Sequence, residues 1–152
     1  DYDAAGLRRT VPLMGNGFLT DGTLQAQGES AQGLVTVLHY GDVLDTARNN
    51  AFRKGFAAAY KVDPDVYAMQ GYDAAQLLAA GLLATGGNAS RRDDMIVAMR
   101  KATIDSPRGT FTMSPQHNPV QDFYLREVEN GQNVVKGVAI KALADPGRGC
   151  RM

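Results

Sequence analysis

The 152-residue chain has one cysteine, two histidines and no net charge, with 16 basic residues set against 16 acidic ones. Each scarcity excludes something. Cys150 alone makes neither an internal disulfide nor a zinc site, so redox compartment is not legible from the residues. Balanced charge sets up no long-range field to gather nucleic acid or an anionic membrane, and partners of those kinds are not expected. The longest apolar run, Leu77 to Ala84, is interrupted by Gly81 and is far short of the ~20 residues that span a bilayer. The opening Asp-Tyr-Asp is no basic n-region ahead of an apolar h-region, so no signal peptide is visible. Internal repeats and low-complexity tracts are absent too, which sets solenoid architectures aside.

What remains is a chain of one-domain length, 44% apolar and 21% charged, able to bury a core. Tyr2 to Leu7 reads as the last turn of a helix stopped by Gly6. Val11 to Gly15 is a short apolar run between Pro and Gly that predicts a buried strand, followed by a loop. A helix over Thr23 to Ala31, with Asp21 as N-cap candidate, leads to a β-branched strand over Gly33 to Tyr40. Strand, helix, strand is the unit of a parallel sheet, so the fold class is α/β.

The middle third is helical. One helix starts at Asp45 or Thr46 and carries Phe52, Phe56 and Tyr60 on one face, which should pack inward. A second starts near Pro64 and Asp65, is apolar on most sides up to Gly86-Gly87, and should be largely buried. A third opens on Ser90 and Asp93, a capping-box-like pair, with Met95, Ile96 and Met99 as core residues. The last third turns to strands: Gly109 to Met113, Asp122 to Glu129, the turn Asn130-Gly131, and Val134 to Leu143 as the return of a hairpin.

Three stretches hold residue types that do chemistry. Ser114, His117 and Asp122 lie within "SPQHNPVQD" and supply the types of a serine-hydrolase triad, which geometry must decide. Pro115 and Pro119 argue instead for an extended polar connector. "GNGFLTDG", Gly15 to Gly22, is glycine-rich at the end of a strand and leads into a helix. It lacks both the Gly-Lys-Ser/Thr ending of a phosphate loop and the G-x-G-x-x-G spacing. Its position still places Asn16, Gly17 and Phe18 where ligands meet open parallel sheets, or else the loop is shaped only for its turn. Tyr67, Gln70, Tyr72 and Asp73 put polar groups on an apolar helix. They reach a cleft or are satisfied within the core, and both readings stay open. His39, ending an apolar strand, reads as a structural histidine.

Taken together, "PLMGNGF", "GLVTVLHY", "AFRKGFAAAYKVDPDVYAMQGYDAAQLLAAGL" and "DSPRGTFTMSPQHNPVQDFYLREV" resemble the C-terminal part of periplasmic solute-binding proteins of the branched-chain amino acid ABC importer family. The resemblance covers essentially the whole chain. It implies a bilobed type I binding-protein fold of well over twice this length, with the N-terminal part absent. Residues 1–38 then belong to the second lobe, 39–116 to the closing part of the first, and 117–152 to the return to the second. The implied hinges fall at His39 to Gly41 and at Ser114 to Pro119, with His39, Tyr40, Ser114 and His117 as hinge positions.

The implied function is binding without catalysis or cofactor: a small amino acid or aromatic carboxylate held between the lobes, outside the cytoplasm, for an ABC permease in the membrane. A ligand-sensing receptor domain is the alternative, and a hydrolase using Ser114, His117 and Asp122 the more distant one. Asn16, Gly17, Phe18, Tyr67 and Gln70 are the ligand-binding positions. Leucine-type members hold the ligand's ammonium with an acid at about Gly17, so an amino acid here would need Asp21 or Asp42 instead. A severed lobe should also expose apolar faces and pair with the missing part or a second copy. Cys150 is expected to be free or bonded to a cysteine in the missing part.

Overall fold

Six strands and four α-helices make up residues 1–149, the part of the chain that the computed structural model describes, and Cys150 lies outside them. In chain order they are β1 (Met14–Asn16), α1 (Leu24–Gln27), β2 (Val35–Leu38), α2 (Ala47–Tyr60), α3 (Val66–Ala84) and α4 (Arg92–Lys101). Then come β3 (Thr103–Ile104), β4 (Phe111–Met113), β5 (Pro119–Glu129) and β6 (Gln132–Leu143). β1 and β2 pair in parallel, Met14 opposite Val35, with α1 in the crossover. The remaining ladders are antiparallel, so the parallel component is confined to that one pair. β5 and β6 form the expected hairpin. Asn130 and Gly131 turn it with φ of 51° and 74°, the doubly positive geometry that an Asn-Gly pair tolerates.

β5 belongs to two sheets. Its Pro119 and Val120 pair with β4, its Tyr124 to Glu127 pair with β2, and ladder irregularities from Gln121 to Tyr124 bend it in between. The passage between sheets therefore lies inside β5. Ser114 to Asn118, expected as an extended connector, is a tight turn joining β4 to β5. The Ser114 N–H donates to the Asn118 carbonyl at 2.8 Å, the His117 N–H donates to the Ser114 carbonyl at 3.0 Å, and His117 takes φ of 63°. Proline fixes φ near −65°, which serves the second position of a β-turn as well as an extended chain, and Pro115 occupies that second position.

The helix starts agree with the sequence in two cases of four. Thr46 caps α2 by accepting from the Asn49 N–H at 3.1 Å, and Asp65 caps α3 by accepting from the Ala68 N–H at 2.9 Å. At α4 no capping box forms: the Ser90 N–H turns back to Asn88 Oδ1, and Arg91 pairs with Asp94. Asp21 caps nothing, because Arg126 draws its carboxylate into the interior. The helix that follows is cut to Leu24–Gln27 by Gly28, whose φ of 54° and ψ of −136° are not helical.

The core forms two clusters. Leu38, Tyr40, Val66 and Met69 pack with Phe52, while Ala31, Leu34 and Val128 pack with Tyr2, Leu13, Leu19 and Leu24. The α2 aromatic stripe is less buried than expected. Phe52 reaches the core, but Phe56 and Tyr60 meet their neighbours with tilted rings along the helix, and Tyr60 is exposed. α3 likewise buries Val66, Met69, Asp73 and Gly81 but leaves Leu78 and Leu83 exposed. On α4, Met95 and Met99 cover Gly81 while Ile96 faces out. A helix apolar all round needs packing on every side, and the described residues supply it on one.

Candidate ligand cleft and the ion pairs beneath it

The loop after β1 is built around a close backbone approach. Asn16 accepts the Phe18 N–H at 2.8 Å and so caps a short 3₁₀ turn over Gly17–Leu19. Gly17 is buried, and a Cβ there would stand 2.6 Å from Arg126 Nη2 and 2.7 Å from Leu38 Cβ, so only glycine fits. With Gly17 pressed inward, Phe18 is turned out. Its ring stacks on Tyr67 with centroids 6.0 Å apart and planes 22° apart. Both rings stay about half exposed, at 47% and 53%. Gly22, with φ of 78°, closes the loop, and a Cβ there would stand 3.9 Å from the Tyr67 ring.

Tyr67 sits in the first turn of α3, anchored by the buried neighbours Val66 and Met69. Gln70 lies one turn on, on the same face. Its amide nitrogen is 3.3 Å from His39 Nε2, and the His39 ring meets Phe123 edge-on at 6.1 Å. Burial, then the charges of Arg108 and Arg126, lower the His39 pKa to about 4. The ring is therefore neutral near neutral pH, and its Nε2 accepts from the Gln70 amide. Asn16 thus fixes Phe18, Phe18 stacks on Tyr67, and Gln70, one turn on from Tyr67, meets His39: an aromatic pair with an amide and imidazole group at the same helix face.

Two buried ion pairs support this surface, and sequence reading identified neither. Arg126, fully buried on β5, donates to Asp21 through both Nη atoms at 3.2 and 2.5 Å, to Thr36 Oγ1 at 3.1 and 3.2 Å, and to the Tyr40 carbonyl at 3.1 Å. One guanidinium so joins the loop after β1, the strand β2 and the His39–Tyr40 connector. Arg108 donates through Nε to Asp73 at 2.9 Å, through Nη1 to Gln121, and lies over the Phe111 ring at 4.2 Å. Ser106 also donates to Asp73. Burial nevertheless pushes the Asp73 carboxyl up, and its Oδ1 has no partner.

The connector after His39 is pinned as well. Asn49, fully buried, accepts from the Tyr40 hydroxyl at 2.8 Å and donates to the carbonyls of Asp42 and Leu44. Burial pushes the Tyr40 hydroxyl above its ordinary range. Asp42 has Oδ1 sealed inside without a partner, and burial followed by the charge of Asp21 raises its pKa to about 6. Tyr72, away from this surface, accepts from Arg48 at 2.7 Å.

The hydrolase triad does not assemble. The Ser114 hydroxyl accepts from the Asn118 N–H, Asp122 accepts from the Ala142 N–H, and among the described residues no hydrogen bond joins the His117 ring to either. Ser114 is buried and His117 exposed, at the end of the molecule that carries α4. Two concavities lie elsewhere. One of about 390 Å³ lies beside Val97, Lys101 and Met113, and one of about 310 Å³ lies among Phe52, Phe56, Tyr60 and Tyr72. They follow the uncovered faces of α4 and α2, so volume alone marks no ligand site there. No group of three or more His, Cys, Asp or Glu suited to a metal ion occurs among the described residues.

One signal for the missed arginine was present in the chain. Tyr124, Arg126 and Val128 alternate in phase on β5, and all three are buried, so a charge in the inward phase called for a buried carboxylate.

The sequence profile of a family described as periplasmic binding protein matches residues 1–133. Among solved structures, a solute-binding protein of an ABC transporter from R. palustris in complex with benzoate is 51% identical, with a TM-score of 0.89 over 99% of this chain. A second, from Rhodopseudomonas palustris BisB5 in complex with 3,4-dihydroxy benzoic acid, is 31% identical, with a TM-score of 0.83 over 96% of the chain. A leucine binding protein from Thermotoga maritima MSB8, at 20% identity and a TM-score of 0.73 over 90% of the chain, shares the fold. The chain spans 42% of the length of the first two and 39% of the third. No match is found among functionally curated proteins.

Proposed function

The chain belongs to the periplasmic binding protein family, and from that premise we propose that it forms part of the solute-binding component of an ABC importer that takes a small aromatic carboxylate. The observation that carries the ligand class is the Phe18–Tyr67 pair, two half-exposed stacked rings beside the Gln70–His39 edge. A planar ring gains dispersion and quadrupole contact by stacking on such a wall. Its carboxylate then meets donors, the Asn16 and Gln70 amides. The benzoate and dihydroxybenzoate bound by the two R. palustris proteins support the same class.

Ligand held between lobes favours the closed form, and the closed form is what a membrane permease would recognise outside the cytoplasm. His39, Tyr40, Ser114 and His117 are the proposed hinge positions. The apolar faces left open on α3 and α4 would be buried by the rest of a longer protein or, for this chain alone, by a second copy. Titration calorimetry of the intact protein with benzoate, hydroxybenzoates and leucine tests the proposal. Saturable binding of the aromatic acids without turnover is expected, and binding of leucine alone would overturn the ligand class.

A further inference from the structure

The loop from Asn16 to Gly22 contains one acid, Asp21, and carries the aromatic wall at Phe18. From sequence alone this loop offers the cleft an anion. In the folded chain it offers none, since both carboxylate oxygens of Asp21 are taken by Arg126, whose other donors are spent on Thr36 and the Tyr40 carbonyl. Gly17 cannot supply a replacement, because Arg126 and Leu38 fill the space that a side chain would enter. Asp42 keeps one oxygen sealed inside.

We propose that the Asp21–Arg126 pair is the specificity determinant that restricts the cleft to carboxylates lacking a neighbouring ammonium, a reading that rests on the ligand class proposed above. An ammonium entering here loses its hydration and finds the loop's one carboxylate already paired with Arg126, whereas a carboxylate finds amide donors. Arg126 acts through the loop as a positioning residue. Its guanidinium neutralises the one acid and holds the loop down on β2.

The test uses two ligands that differ only by the ammonium, phenylacetate and 2-phenylglycine, with benzoate alongside, titrated into the intact protein by calorimetry. The unaltered protein is expected to bind phenylacetate in preference to 2-phenylglycine. Arg126→Met frees the Asp21 carboxylate and should narrow that preference by at least about tenfold. Asp21→Asn leaves the cation alone and should widen it. The opposite signs separate charge selection from a merely structural role, which would weaken both ligands together. If one variant does not fold, as a thermal melt would reveal, the sign of the other decides. Two folded variants with an unmoved ratio, or shifts of the same sign, overturn the inference, and so does loss of folding in both. Benzoate binding with an unmoved ratio overturns this inference alone. No binding of benzoate or phenylacetate to the unaltered protein removes the ligand class and the inference with it.

Discussion

Asp42→Asn should change how stability responds to pH, because two half-buried groups near the connector titrate in opposite senses. The Asp42 pKa is raised from 3.8 to about 6, so the folded state holds that proton longer than the unfolded chain does. Its stability contribution is fully present below the unfolded pKa and is lost as pH rises through about 6. The His39 pKa is lowered from 6.5 to about 4, so its contribution is present above the unfolded pKa and is lost as pH falls through about 4. Each shift of two units or so corresponds to roughly 3 kcal/mol, and partial solvent screening brings the expected effect to about 2 kcal/mol.

The two slopes run through the same window and largely cancel, so the unaltered protein should show a nearly flat profile from about pH 4 to about pH 6. Asp42→Asn unmasks the histidine. Stability of the variant should rise with pH across that window and exceed that of the parent by about 2 kcal/mol near neutrality, or about 4–8 °C in melting temperature for a chain of this size. Urea denaturation at a series of pH values, with equal m-values checked, is the assay. Parallel profiles for parent and variant would refute the reasoning, as would a variant less stable near neutrality.

Gly17→Ala drives a methyl group into Arg126 and Leu38 and should cost about 1–3 kcal/mol, read as a lowered urea midpoint; an unchanged midpoint would mean that the loop yields easily. Arg108→Met strands Asp73 in the interior and should cost about 3–5 kcal/mol, while Asp73→Leu combined with Arg108→Met should recover most of the loss. Tyr67→Ala should weaken benzoate binding about 3- to 10-fold through lost stacking, with Tyr67→Phe close to the parent by calorimetry.

Much of the architecture was legible because local physics sets it. Asn130-Gly131 dictates a hairpin, Thr46 and Asp65 start their helices by capping, and an apolar run and a β-branched run around a short helix give the parallel pair, although the first strand, expected to be buried, leaves Met14 exposed. The Ser114–Asn118 turn is not legible from the residues because proline's fixed φ serves a turn and an extended chain alike; only the partner of the Ser114 N–H distinguishes them. The burial expected of α3 and of Tyr60 failed for another reason. Periodicity names an apolar face but not what covers it.

The candidate site divides along the same line. Asn16, Phe18, Tyr67 and Gln70 could be proposed from sequence, since a loop at a strand end and polar groups on an apolar helix are local patterns. That Phe18 stacks on Tyr67, 49 positions away in the numbering, was decided by the packing of α3 against β2 through Leu38, Val66 and Met69. Asp21 read as a helix cap until Arg126, 105 residues on, claimed it. The sequence by itself determined which residues could make strands, turns and caps, because those energies act over a few neighbours. Which charge meets which, and therefore what charge the cleft presents to a ligand, only the tertiary structure decided, because a buried ion pair is set by the desolvated geometry of segments that the chain keeps far apart.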